Sequence, residues 1–376
     1  MKLALLGSTG SIGRQTLDVL TQLEGDWQVT ALAAGRNVAL LAEQARRVCP
    51  RVVCVAGPQE ADALARLIPP TFEILHGPQG LLACASQSGA ERVVNALVGA
   101  IGLPPTLEAL NAGVDVALAN KESLVIGGEL VCQALQRGKA RLLPIDSEHS
   151  ALWQLLEGRS ADEVERLLLT ASGGALRAWP LDQLARATPA DVLRHPNWRM
   201  GARITVDSAT LVNKGFELVE AHWLFGVPLE RIDAVLHPQS LVHGMVQLCD
   251  GSVLAHMGSP DMKVSIQYAL TAPLRRARSA PGVEWKGLTL SFDAIDPKRY
   301  PAFAHVLQAA REGGTALAAV NAADEVLVSR FLQGQVPFTQ IAVGIERVLE
   351  RHTPQPASVE AVLEADRCAR ELAARA

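Results

Sequence analysis

The feature that most constrains this chain is its opening. Leu3-Ala4-Leu5-Leu6 is an apolar run that passes directly into Gly7-Ser8-Thr9-Gly10-Ser11-Ile12-Gly13. Four consecutive apolar residues read as a strand buried on both faces, and the glycines allow a tight turn into a helix. A strand, a glycine turn and a helix N-terminus in that order gather free N–H groups, which suits a pyrophosphate. The turn alone is weak evidence, because any tight βα turn can need a positive φ.

The rhythm that follows strengthens it. Strand patterns at 27–33, 52–56, 72–75, 93–98, 115–118 and 141–145 alternate with helical segments, among them 129–137. That alternation predicts a doubly wound, mostly parallel sheet. The second strand leads into Ala34-Gly35-Arg36-Asn37, where an NAD-binding fold would place an acid for the ribose 2′-hydroxyl. An arginine and an asparagine favour NADP instead, although Arg36 also fits a solvated loop. The sixth strand ends in Ala119-Asn120-Lys121-Glu122-Ser123. The chain has seven lysines against 28 arginines, so a lysine at a strand's C-terminal edge suggests a need for a compact, mobile ammonium.

Leu142-Leu143-Pro144-Ile145 then stops at Asp146-Ser147-Glu148-His149-Ser150. Two carboxylates two residues apart at a strand end stand where open α/β sheets bind ligands. They also fit a capped helix start, since acids in a first turn suit the helix dipole. Beyond residue 146 the βα rhythm loosens. A strand over 164–170 ends in Ala171-Ser172-Gly173-Gly174, which offers hydroxyl and backbone donors to an anion. His195-Pro196-Asn197-Trp198-Arg199-Met200-Gly201 reads as a lid or a packed surface loop. After Ile204-Thr205-Val206, a helix beginning near Ser208 places Asn213, Lys214 and Glu217 within two turns. Lys214 and Glu217 could be a surface i,i+3 pair worth little. Leu211, Val212, Phe216, Leu218, Val219 and Ala221 around them point to burial, where polar groups need partners. A strand over 234–236 precedes a hairpin, 242–248 with 252–257, about the Asp250-Gly251 turn. The hairpin could lend its edge to a second copy. A helix over 262–270, a connection to about 300, and helical periods at 301–311, 315–333, 337–351 and 356–375 complete the chain.

Composition sets bounds. With 376 residues, 49% of them apolar, more than one domain is expected. The net charge of −4 argues against a nucleic-acid binder. Six scattered cysteines without a C-x-x-C pair suit reduced thiols, hence a cytoplasmic location. No secretory pattern opens the chain and no apolar run approaches the roughly 20 residues of a membrane helix.

Taken together, GSTGSIG (7–13), AGRN (34–37), ANKESLV (119–125), PIDSEHSA (144–151), TASGG (170–174), HPNWRMG (195–201), DSATLVNKGFELVEAH (207–222), HPQSLVHGMV (237–246) and GSPDM (258–262) resemble the 1-deoxy-D-xylulose 5-phosphate reductoisomerase family. The resemblance implies an α/β fold with three parts and a linker. These are an N-terminal Rossmann-like NADPH domain (1–146), a central α+β catalytic domain (147–275) with a flap near 180–202 and a dimer hairpin, a linker (276–300), and a C-terminal helical bundle (301–376).

It also implies the site. Asp146, Glu148 and Glu217 would hold Mg²⁺ or Mn²⁺, as an all-oxygen donor set suits. Ser172, Ser208, Asn213 and Lys214 would hold the substrate phosphate, with Lys121, Ser147, Glu148 and His195 on the substrate backbone. Lys121, Glu148 and His195 would take part in catalysis. Thr9, Gly10, Ser11, Ile12, Gly35, Arg36, Asn37, Asn120, Glu122 and Gly201 would bind NADPH, and Trp198 and Met200 would belong to the flap. The implied reaction breaks and re-forms a carbon–carbon bond of a phosphorylated sugar, by retroaldol–aldol steps or a 1,2-shift, and then delivers hydride. A homodimer, with no membrane or nucleic-acid partner, is implied as well. Departures from the family pattern stand at Arg199, at Ala175-Leu176 after the glycine pair, and at Ser265. Two rivals remain to be weighed: an NADP-dependent aldehyde dehydrogenase, which needs an activated cysteine, and a non-catalytic NADP sensor.

Overall fold

The structure, a computed structural model, describes residues 1–198 and 200–375, so the flap departure at Arg199 lies outside the described residues. The chain forms two compact units. One comprises 1–123, 129–146 and 262–280, and the other 124–128, 147–261 and 281–376.

The first unit is built on seven strands: β1 Lys2–Leu6, β2 Gln28–Ala33, β3 Val52–Val55, β4 Glu73–His76, β5 Arg92–Asn95, β6 Asp115–Leu118 and β7 Leu142–Pro144. They pair in parallel in the order β4-β3-β2-β1-β5-β6-β7. The intervening helices are α1 Ser11–Gln22, α2 Val38–Val48, α3 Pro58–Ala65, α4 Gly77–Ser86, α5 Leu103–Asn111 and α6 Lys121–Arg137. The first strand is buried from Leu3 to Leu6, and most of β2, β3, β5 and β6 is buried too, as a sheet covered on both faces requires. The order reverses between β1 and β5, so the switch-point crevice opens beside Gly7 and Asn95 at the strands' C-terminal ends.

The second unit begins with α7 Ser147–Leu156, β8 Val164–Ala171, the short α8 Pro189–Val192, α9 Ala202–Thr210 and α10 Val212–Phe225. Three more strands, β9 Ile232–Leu236, β10 Val242–Leu248 and β11 Val253–Met257, complete a four-stranded sheet in the order β11-β10-β8-β9. Only β8 and β9 run parallel in it; β10 is antiparallel to both its neighbours. Leu152 of α7 and Leu218 and Ala221 of α10 share one core with Val164, Leu167, Leu169, Ile232, Ala234 and Val246 of the sheet. The helix α11 Met262–Thr271 belongs to the first unit, where buried Arg92 donates to the carbonyls of Ala269 and Leu270 at 2.8 Å each. The last four helices, α12 Pro301–Glu312, α13 Ala316–Leu332, α14 Gln340–Arg351 and α15 Val359–Ala374, pack in the second unit around α13, which is buried along most of its length. No helix of the described residues is long and apolar enough to cross a membrane.

Two expected helix starts are corrected. The helix expected from about Ser208 begins at Ala202, and Leu211, at φ +57°, breaks it from the next one. Burial of Thr205 and Val206 overrides their β-branched preference. The helix expected from Glu129 begins at Lys121, because Asn120 caps it and the non-helical backbone at Gly127 is absorbed as a kink.

Candidate active site

In the first unit the glycine turn is shaped by close approach. A Cβ on Gly7, which has φ +84°, would lie 2.4 Å from the Ala96 carbonyl oxygen, and one on Gly13 would lie 2.4 Å from that of Gly7. Gly10 caps α1 without a side-chain hydrogen bond, so the first-turn N–H groups near Ser11 and Ile12 are left for an anion. Thr9 stands in the same turn, next to Gly10. At the end of β2, Gly35, Arg36 and Asn37 are exposed, and Asn37 also caps α2 by accepting from the Leu40 N–H at 3.3 Å. The 120–122 segment, the third expected at the cofactor, is held by a set of hydrogen bonds. Buried Asn120 accepts from the Ser123 N–H at 3.0 Å and donates to the carbonyls of Leu97 (3.0 Å) and Gly99 (3.1 Å) and to Glu122 (2.9 Å). Glu122 accepts from the Gly99 N–H at 2.9 Å. Asn120 and Glu122 thus fix the loop that leaves β5. Gly201 is placed in the other unit, as the N-cap of α9.

Two strand ends of the first unit meet. Lys121, at the start of α6, puts Nζ 2.5 Å from Asp146 Oδ2 just beyond β7. Both side chains are largely buried, so the pair is a charge-assisted contact rather than a solvated one.

In the second unit two further carboxylates converge on one ammonium. Lys214 contacts Glu148 at 3.2 Å and forms an ion pair with Glu217. Asn213 donates to the other oxygen of Glu217 at 2.5 Å, and Ser147 donates to Glu148 at 2.6 Å. Lys214 and Glu217 are 4% and 2% exposed, which disposes of the surface-pair alternative. Behind them, His149 is hydrogen-bonded to the Glu217 carbonyl at 2.8 Å and lies 3.5 Å from Glu220. Like charges held this close inside a protein need a cation, and the ammonium supplies one here. Glu148 and Glu217 are hard-oxygen donors of the kind that suits a divalent ion.

A second cluster lies at the end of β8. His195 Nδ1 accepts from the N–H groups of Asn197 (3.2 Å) and Trp198 (3.0 Å). Its proton is therefore on Nε2, which donates to Ser172 Oγ at 2.9 Å. Burial first, and the nearby Arg177 guanidinium second, push His195 below the ordinary histidine value and keep it neutral. Ser172 Oγ also accepts from the Gly174 N–H at 3.1 Å, so its own proton points elsewhere, toward Ser208 Oγ at 3.4 Å or an incoming anion. Ser172, His195 and Ser208 are thus brought together. Beside them, Trp198 packs edge-on against His243, with ring centroids 6.1 Å apart. Burial pushes His243 down to about 4.

Matches to known proteins agree with the motifs. The 1-deoxy-D-xylulose 5-phosphate reductoisomerase profile matches residues 3–128, its C-terminal domain profile 142–225, and the DXP reductoisomerase C-terminal domain profile 257–372. The reductoisomerase of Gloeobacter violaceus is 49% identical over 98% of this chain and 95% of its own. The chain belongs to the 1-deoxy-D-xylulose 5-phosphate reductoisomerase family. The enzyme of Chlorobium phaeovibrioides is 46% identical over 99% of this chain and 98% of its own. Among solved members of the family, the Zymomonas mobilis enzyme in complex with NADPH is 39% identical, with a TM-score of 0.92 over 100% of this chain and 98% of its own. A DOX-P reductoisomerase in complex with NADPH, fosmidomycin and magnesium is 36% identical, with a TM-score of 0.95 and the same coverage. The Rossmann-like α/β fold expected from the alternating strands is the family's fold.

Membership also weighs on the rivals. Cys132, the thiol an aldehyde dehydrogenase would need activated, lies inside α6, where burial raises it. Several residues of the site escaped sequence reasoning. Arg177 donates to the Ser172 carbonyl at 2.7 Å, and Tyr300 donates to the Gly173 carbonyl at 3.0 Å from 127 residues away. Asn197 donates to the Pro238 carbonyl (2.6 Å) and Ser240 (3.0 Å), tying its segment to the 237–240 loop. Its position beside His195 in the HPNW motif was the only available signal.

Proposed function

We propose that the chain converts 1-deoxy-D-xylulose 5-phosphate to 2-C-methyl-D-erythritol 4-phosphate using NADPH and Mg²⁺ or Mn²⁺. The observation that carries this reading is the buried convergence of Glu148 and Glu217 on Lys214, in the same unit as the cluster of two serines and a neutral histidine. A bound divalent ion supplies Lewis acidity to the substrate oxygens, and NADPH supplies the hydride.

The chain's own residues do the rest. Asp146, Glu148 and Glu217 hold the metal ion as three carboxylates, each already neutralised in part by Lys121 or Lys214. Ser172, Ser208, Asn213 and Lys214 bind the substrate phosphate, with Ser172 offering the proton that its two donors leave free. Lys121, Ser147, Glu148 and His195 orient the carbon skeleton; Lys121 offers positive charge to a developing oxyanion. The glycine turn, Thr9 to Ile12, takes the cofactor pyrophosphate on the α1 N-terminus. Gly35, Arg36 and Asn37 take its 2′-phosphate, while Asn120 and Glu122 hold the adjoining loop. Trp198, Met200 and Gly201 close over the reacting atoms and exclude water.

In domain terms, 1–146 binds the cofactor, 147–275 carries metal and substrate, 276–300 links, and 301–376 supports. A cytoplasmic homodimer completes the reading. The edge strand β11, with Val253 exposed, is the surface that supports dimerisation.

The test is Glu217→Gln. Turnover should fall by about 100-fold or more, while NADPH affinity changes less than about twofold, because the carboxylate serves the metal and not the cofactor. Retained turnover, or an equal loss of cofactor affinity, would contradict the assignment.

A further inference from the structure

Ser208 sits on α9, a helix with weak ends. It starts at Gly201 with no side-chain cap among the described residues and stops at the left-handed Leu211. Its anchorage is lateral. Arg203 Nη1 donates to Glu325 Oε1 at 2.9 Å and Nη2 donates to Asn321 Oδ1 at 2.9 Å, both on α13. Nη2 also lies 3.6 Å from Asp324, and Nε lies 3.6 Å from Asp207, the residue before Ser208. Glu325 is itself held, by Asn321 at 3.2 Å and by Arg370 of α15 at 2.6 Å, and Arg370 is fixed by Asp366.

The opposite side of α9 is blocked by backbone. A Cβ on Gly174 would fall 2.5 Å from Ala209 Cα and 2.9 Å from the Ser208 carbonyl oxygen. The helix is therefore held between the 172–174 turn and a guanidinium fork fixed to α13. This network keeps Asp324 fully buried and Asp207 nearly so. Hydrophobic residues of similar volume would stabilise the same helix contact as well or better, so a buried ion network of this size is better explained by what it aligns than by stability. A planar fork donating to two residues fixes direction as well as distance, which an ammonium does not.

We propose that Arg203 is a positioning residue for the substrate phosphate: by tying α9 to Asn321 and Glu325 it sets the Ser208 hydroxyl opposite Ser172. The proposal rests on the reading that these serines bind that phosphate, and it adds α13 of the C-terminal helices to the parts that determine substrate affinity.

Two variants test it in the full chain: Arg203→Lys, and Arg203→Met combined with Asp324→Asn to remove one of the two buried acids, Asp207 and Asp324, that lose the guanidinium. For each, three constants are read, namely KM for 1-deoxy-D-xylulose 5-phosphate, the inhibition constant of inorganic phosphate, and the dissociation constant of NADPH. Misplacing one donor by a fraction of an ångström should raise the first two by about tenfold, with kcat and the NADPH constant within about threefold of the parent. A merely structural role would move all of them together, and that result, or an unchanged phosphate constant in a folded variant, overturns the proposal. If the double variant does not fold, Arg203→Lys decides by the same readings. Ser208→Ala separates the two levels. Weakened phosphate there with none in the Arg203 variants sinks this inference alone, and unchanged phosphate there sinks the phosphate reading with it.

Discussion

At the scale of single residues, the decisive fact is the direction of one hydrogen bond. His195 Nδ1 is occupied by two backbone donors, so Nε2 must carry the proton given to Ser172. Acid would protonate Nδ1, and a protonated Nδ1 cannot accept from Asn197 and Trp198. Because burial and Arg177 depress its pKa, the neutral ring is the form the fold favours. The stabilisation is complete above about 6.5, the ordinary histidine value, and is lost as pH falls from there through the depressed one. Nitrogen-15 spectra of the His195 ring at pH 7 should therefore show a bare Nδ1 and a protonated Nε2. A protonated Nδ1 at that pH would refute the hydrogen-bond assignment. None of this could be read from the sequence, which shows a histidine near a proline but not the serine 23 residues earlier that receives its proton.

At the scale of elements, the sequence was informative wherever a pattern is local. The sheet strands of the first unit fall close to their apolar runs, and the Asp250-Gly251 turn joins β10 to β11 as its composition predicts. Legibility failed where a long-range contact overrides a local signal. The helical segment was expected only over 129–137, yet α6 starts at Lys121 and runs through Gly127 and Gly128. Only the fold shows why Gly128 is needed, since a Cβ there would lie within 2.2 Å of the Trp223 ring on α10. Gly128→Ala should accordingly destabilise the protein by about 1–3 kcal/mol despite alanine's better helix propensity, as overpacking outweighs the gain. Urea unfolding measures it, and a stabilised variant would show that Trp223 can yield. Likewise Ile204-Thr205-Val206 suggested no helix because the contacts that hold α9, from Arg203 to α13, span more than a hundred residues.

At the scale of the molecule, charge is organised around two lysines in a lysine-poor chain. Lys121 neutralises Asp146 within one unit, and Lys214 neutralises Glu148 and Glu217 within the other. Chain connectivity alone leaves Asp146 two residues from Glu148, at the boundary between the units. The acids Asp146 and Glu148 were legible as a strand-end feature that could equally cap a helix, and Ser147 does begin α7 there. The third proposed ligand, Glu217, was ambiguous in the sequence: a lysine three residues before a glutamate is usually a surface pair, and only its apolar neighbours pointed to burial. Burial of that pair is what supports the proposal that the motif serves a metal site. The central claim is thus that three carboxylates, two of them seen converging on an ammonium, exist to hold a divalent ion for an NADPH-linked reaction. It is tested most directly by following NADPH absorbance with 1-deoxy-D-xylulose 5-phosphate before and after EDTA. The account predicts that oxidation stops with EDTA and returns when Mg²⁺ or Mn²⁺ is added back in excess; undiminished oxidation in EDTA would contradict it.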